Sequence, residues 1–204
     1  GQPAMYEYRY ADTSSTEFCR IDKPSFLWAG GLYLYTLYQL FGVNENEWNL
    51  SLAGPIPETF ESVHYSLTFD GKKNVVLRGK GNRLRGLKAD GMVVPSSVLP
   101  ISVRQASNLE IEFGNPAFPY LESINAILHS AYFDKMTNSL RLELSSFSGH
   151  EVNVHVITRT KPTKVIVDGN PIADYRTHAQ LDGSLRLEIR LTGSDSQQKL
   201  EVFF

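Results

Sequence analysis

A single cysteine in 204 residues, Cys19, excludes an internal disulfide and any cluster of thiolate ligands. Basic residues are equally sparse in runs. None is longer than two, and the formal net charge is −2, so the clustered Lys and Arg that a nucleic-acid footprint requires are missing. The five histidines, His64, His129, His150, His155 and His178, show no HxH, HxxxH or HExxH spacing, and no zinc site is expected. No serine stands in a GxSxG elbow. Gly79-Lys80-Gly81-Asn82 lacks the GxxxxGK[ST] spacing of a phosphate loop. Low-complexity segments and internal repeats are absent too. No leader is visible, but Gly1-Gln2 reads as a remnant of tag removal, so the chain is expected to start downstream of its natural beginning.

What is present is an ordinary globular composition, 42% apolar and 21% charged. The longest apolar run covers 26–43. It reaches the ~18 residues of a membrane span, but Tyr33, Tyr35, Thr36, Tyr38 and Gln39 interrupt it with groups that need hydrogen-bond partners. The run predicts a buried helix over about 25–41, not a membrane span. Pro24 suits its first turn, where the missing N–H is unpaired anyway, and Ser25 can cap it. Gly42 falls where a left-handed cap belongs. Phe26, Tyr33, Leu37 and Leu40 lie on one side, and Trp28, Leu32, Leu34 and Tyr35 cover most of the rest. A helix apolar on nearly all faces is buried on nearly all faces.

From about residue 62 the period changes to two. The segments 63–69, 109–113, 139–147, 151–159, 184–191 and 199–204 alternate as strands do. Asp70-Gly71 and Asp168-Gly169 are hairpin signals, Ser148-Gly149-His150 is a turn, and 126–132 reads as strand or helix. Roughly ten short strands with turns every 8–12 residues predict a mostly β protein: an antiparallel, jelly-roll-like β-sandwich over 51–204, preceded by a 1–50 segment carrying one buried helix. A sandwich covers only one side of that helix, so something else is expected to cover the other. The candidates are another domain, or a second copy meeting through 26–41 in a two-fold dimer.

The residues 28–43, 48–57 and 63–72, with Trp28, the Tyr-rich run, Trp48-Asn49-Leu50 and Val63-His64-Tyr65-Ser66-Leu67-Thr68-Phe69-Asp70-Gly71-Lys72, resemble the C-terminal end of six-hairpin, (α/α)6-barrel glycoside hydrolases and phosphorylases. There the last barrel helix leads through a short link into a β-sandwich. The strand-turn 164–169 looks like one common in accessory sandwiches of carbohydrate-active enzymes. Gly31-Leu32 stands where that family has Gly-Trp. The resemblance implies a non-catalytic accessory domain packed on a catalytic (α/α)6 domain, and an extracytoplasmic setting. It also makes Glu17, about ten residues before the helix, a catalytic candidate, although a solvated loop carboxylate is the plainer reading.

Glycoside hydrolysis needs two carboxyl groups ~5–5.5 Å or ~6.5–9.5 Å apart, and the acidic residues here are scattered. No activity is expected of this chain alone, and no cofactor or metal. Trp28, Tyr33 and Trp48 are candidate sugar contacts, because an aromatic face offers apolar contact to a sugar ring. Helix aromatics are more often core, and Trp48 equally suits packing between the two parts. The alternatives are a stand-alone carbohydrate-binding module with an aromatic platform and a homodimeric interaction domain.

Overall fold

The computed structural model describes residues 8–9, 21–22, 31–32, 42–45, 48–52, 60–68, 70–81 and 83–204. The chain divides into two compact units, 1–41 and 42–204. In the first, strand β1 (Tyr8–Arg9) pairs antiparallel with β2 (Ile21–Asp22), and Gly31 and Leu32 are helical. The rest of the helix expected over 25–41, its proposed dimer face, and Glu17, Trp28 and Tyr33 lie outside the described residues. Among the described residues no helix is long and apolar enough to cross a membrane.

The second unit is built almost wholly from strands. Gly42 opens it at φ 69°, the left-handed conformation expected of it. A short ladder joins β3 (Val43–Glu45) to β4 (Leu50–Leu52). A five-stranded sheet follows, made of β5 (Ser62–Thr68), β6 (Lys72–Gly79), β7 (Leu84–Ala89), β8 (Met92–Val94) and β9 (Asn108–Phe113), in the order β5-β6-β9-β7-β8. The hydrophobic alternation fixes its faces: Val75, Leu77, Leu87, Leu109 and Ile111 point inward and are buried, with Val76, Lys88 and Glu110 beside them pointing out. One pairing departs from the antiparallel expectation, because β9 lies parallel to β6. The crossover between them, which includes the β7–β8 hairpin and a 3-10 turn η1 (Ile101–Val103), is long enough for the return that a parallel pair needs.

The remaining strands form two facing sheets. β10 (Tyr120–Ile124), β13 (Glu151–Thr158), β17 (Leu185–Thr192) and β16 (Tyr175–Ala179) make one, in that spatial order. The other, also in spatial order, is β11 (Ile127–Asp134), β12 (Ser139–Ser145), β18 (Gln198–Phe203), β14 (Lys164–Val167) and β15 (Asn170–Pro171). Every pairing in both is antiparallel. One continuous core fills the space between them, with Leu140, Leu142 and Leu144 of one sheet and Val152, Val154 and Val156 of the other fully buried. The ambiguous 126–132 stretch is therefore strand, paired along β12 from Ile127 to Asp134.

A buried strap, 95–100, joins the five-stranded sheet to the sandwich. Its backbone bonds to β4 on one side (Leu52 N–H to Ser97 O, 2.8 Å) and to β10 on the other (Ser97 N–H to Leu121 O, 2.9 Å). A buried loop must find partners for its polar groups. Ser96 and Ser97 supply them, with hydroxyls donating to Val98 O (2.6 Å) and Glu122 O (2.6 Å).

Candidate functional site

The outer face of the five-stranded sheet carries a groove of about 360 Å³. Its floor comes from the strand registers. Val76, Glu110, Lys88 and Val93 form one cross-strand row, and Arg78, Glu112 and Gly86 the next. Glu110 and Glu112 alternate with buried Leu109 and Ile111 on the central strand. Their Cα atoms are ~6.7 Å apart by strand rise, on the same face.

A bulge in β7 supplies the third cation. Leu84 opposes Phe113 and Gly86 opposes the adjacent Glu112, so Arg85 is the extra residue. Without the bulge Arg85 and Lys88 would point to opposite faces. With it both line the groove, and Arg85 Nη1 lies 3.3 Å from Glu112 Oε1. Phe118 forms a side wall together with Ala117. It stacks on Phe133 at 6.1 Å with the rings 17° apart, and Phe133 packs on the sandwich core. The backbone of this wall is tied to β7 and the residue before it through Ala117 N–H to Arg85 O (3.4 Å) and Gly114 N–H to Arg83 O (2.9 Å).

The outer face of the four-stranded sheet is arranged differently. There the charges neutralise one another. A bulge in β10 between Leu121 and Ser123 presents Glu122, which accepts from Arg83 (2.8 Å) and Arg186 (2.7 Å). Arg83 continues to Asp182 at 3.0 Å and Gln180 at 3.1 Å. Glu188 holds Arg190 at 2.8 Å and lies 3.6 Å from His178. His155 sits in this face 2.9 Å from the Ser123 hydroxyl. Burial first, and Arg186 second, hold its imidazole below the ordinary histidine range. Ser123, His155 and Glu188 share a cross-strand row, but Glu188 in that row is engaged by Arg190 and lies near His178 rather than orienting His155.

Asp182 gives that network a pH signature. Hydrogen bonds from the Ser184 hydroxyl and amide, then Arg83, hold its carboxyl down to about 2. The unfolded chain protonates it near the usual ~3.9. Its stabilisation is therefore complete above pH ~4 and is lost as pH falls toward 2. The side chain is 40% exposed, so screening leaves about 1 kcal/mol or less. Asp182→Asn is expected to lower stability at pH 6 and to shrink the stability lost between pH 4 and 2, read from urea unfolding at each pH. Equal acid sensitivity in the variant would contradict this assignment.

Of the residues the sequence offered as sugar contacts, Trp48 is the one described. It is half-buried and packs on the turn between β12 and β13, with Phe147 at 5.4 Å and the His150 ring stacked at 5.3 Å. Phe147 is itself 68% exposed. The groove residues Arg78, Arg85, Lys88, Glu110 and Glu112 were not singled out by sequence. The signals for them were the outward period of 109–113 and the glycine at 86 between Arg85 and Lys88. Among the described residues no group of three or more His, Cys, Asp or Glu side chains could hold a metal ion. No family model matches the chain, and neither does any curated protein or solved structure.

Proposed function

We propose that the chain is a non-catalytic accessory domain of a carbohydrate-active enzyme. In this reading the 25–41 segment is the last helix of a catalytic barrel, and the β unit is a jelly-roll-like sandwich buttressing that barrel. The resemblance of 28–72 supports it. The observation that carries the non-catalytic part is the setting of Glu110 and Glu112. They share a groove and a face, but the groove is an open sheet surface, both side chains are exposed, and Arg85 engages one of them. Acid–base cleavage asks for two carboxyl groups on opposite flanks of one bond in contrasting environments, and these two stand side by side in one. A second reading, a binding module with an aromatic platform, is favoured by exposed Phe147 beside Trp48.

Incubating the chain with a panel of aryl glycosides and oligosaccharides, with and without inorganic phosphate, is expected to release no sugar. Release above the blank that disappears in Glu110→Gln or Glu17→Gln would overturn the non-catalytic reading. The barrel itself is tested by the gene: the reading frame on its 5′ side is expected to encode repeated amphipathic helices, and a frame encoding none would remove the partner.

A further inference from the structure

We infer that the groove on the outer face of the five-stranded sheet is a binding site for a neutral saccharide. The inference deepens the carbohydrate reading and rests on it for the ligand class, but the site itself is argued from geometry. Gly86 lines the groove floor, within β7. Its φ is not in the left-handed region, and a Cβ built on it would meet nothing within 4 Å. Neither backbone conformation nor crowding therefore calls for glycine there, and glycine inside a strand is destabilising. What its missing side chain provides is open space over the floor, as where a ligand approaches a sheet closely.

Arg85 and Glu112 pair with each other, and the other three charges around that space are uncommitted. The side chains of Arg78, Lys88 and Glu110 make no ion pair or hydrogen bond among the described residues, whereas Glu122, Asp182 and Glu188 on the four-stranded sheet are all engaged. Charged side chains left unpaired along a groove on a sheet face are available to a ligand. Its chemistry follows from their mixture. Two carboxylates oppose an anion, three cations oppose a cation, and a space of about 360 Å³ is at the small-ligand end of binding sites. A sugar ring suits it. Hydroxyls donate to Glu110 and accept from Arg78 and Lys88, and the C–H face of the ring lies on Phe118, held flat against Phe133.

Saturation-transfer NMR on the full chain, with malto-, cello-, laminari-, xylo- and mannohexaose as probes, tests the site. At least one probe is expected to bind, with the effect competed by excess unlabelled sugar. Gly86→Leu fills the floor and is expected to abolish the transfer while the melting temperature stays unchanged or rises. Glu110→Gln, on an exposed position that does not threaten folding, is expected to weaken binding about tenfold, the effect of one charged hydrogen bond. Binding of none of the five probes overturns the inference. So does binding that survives both variants, and so does binding lost instead in Phe147→Ala, which would put the sugar on the Trp48 patch. Any of these leaves the accessory-domain reading intact, because a buttress requires no sugar. That reading fails separately, on glycoside release or on the upstream gene.

Discussion

Asn49→Leu is expected to remove roughly 3–4 kcal/mol of stability, more than half of what many small domains possess. Asn49 is 3% exposed and lies immediately before β4. Its amide nitrogen donates to Ala126 O at 2.7 Å and to Ile124 O at 3.4 Å, and its oxygen accepts from the Leu128 N–H at 3.3 Å. These three groups bracket the bend where the chain leaves β10 for β11, passing from one sheet of the sandwich to the other. Ile124, Ala126 and Leu128 are buried away from water, so polar groups turned away from the neighbouring strands need partners there. One planar amide, with both donors and its acceptor used, supplies them. Leucine has similar volume and fills the space, so the loss isolates the polar groups: each buried group left unpaired costs ~1–3 kcal/mol, with the 2.7 Å bond weighing most. Asn49→Asp keeps the acceptor but turns carboxylate oxygen toward two carbonyls, and is expected to be worse. Urea unfolding gives the loss, and hydrogen exchange at the Leu128 amide should accelerate with it. A loss below about 1 kcal/mol, with exchange at Leu128 unchanged, would show that the bend is held by packing alone.

Asn49 also shows where sequence reasoning stops. The segments 63–69, 74–79, 109–113, 139–147, 151–159, 184–191 and 199–204 announce themselves as strands because one face of each meets a core and the other meets water, so the alternation is written in the residues. Strand β7 hides its period because the Arg85–Gly86 bulge shifts it, and β10 hides its own at Glu122. Strand β16, Tyr175–Ala179, is made of mostly polar residues, and its ladder partner among the described residues is β17. Strands β7 and β10 rest on β9 and β13, neighbours distant in sequence that local pattern does not report; β16 pairs with the next strand, but its residues carry no apolar alternation. The Asp90-Gly91 turn between β7 and β8, at φ 46° and 85°, matches Asp70-Gly71 and Asp168-Gly169 in conformation and carried the same signal. The parallel β6–β9 pair is illegible in principle, because alternation says which residues are buried and not which strand lies alongside. The groove followed the same logic. Its carboxylates were readable as outward positions of 109–113. Its cations converge only because a bulge, a hairpin and a parallel neighbour bring β6, β7 and β9 side by side.

Lys73 raises the same question about a charge. Its outward neighbours Lys72 and Asn74 are exposed, yet Lys73 itself is 1% exposed, in an inward position opposite Leu67. A buried ammonium is tolerated only where oxygens replace its water. Here they are the backbone carbonyls of Arg104, in close contact, and of Ala106 at 3.1 Å, just beyond η1. The turn ends at Arg104, and the lysine reaching across from β6 supplies a donor to the carbonyls at that end. Asp90 closes the other side of the same connection by accepting from the Ser107 and Asn108 amides at 3.0 and 2.9 Å. The chain between η1 and β9 is thus held by one cation and one anion, and its placement sets the parallel register of β9 on β6. Lys73→Met keeps the aliphatic stem and removes the donors. It is expected to cost about 2–3 kcal/mol, the desolvation of two carbonyls less the relief of a buried charge. Lys73→Ala adds a cavity and is expected to reach roughly 4 kcal/mol. Lys73→Glu, which aims carboxylate oxygens at the carbonyls, is expected to prevent the five-stranded sheet from closing. Denaturant unfolding of the three variants should rank them in that order. If Lys73→Met proves as stable as the parent, the stem alone holds the connection and the carbonyls find water when the ammonium is gone.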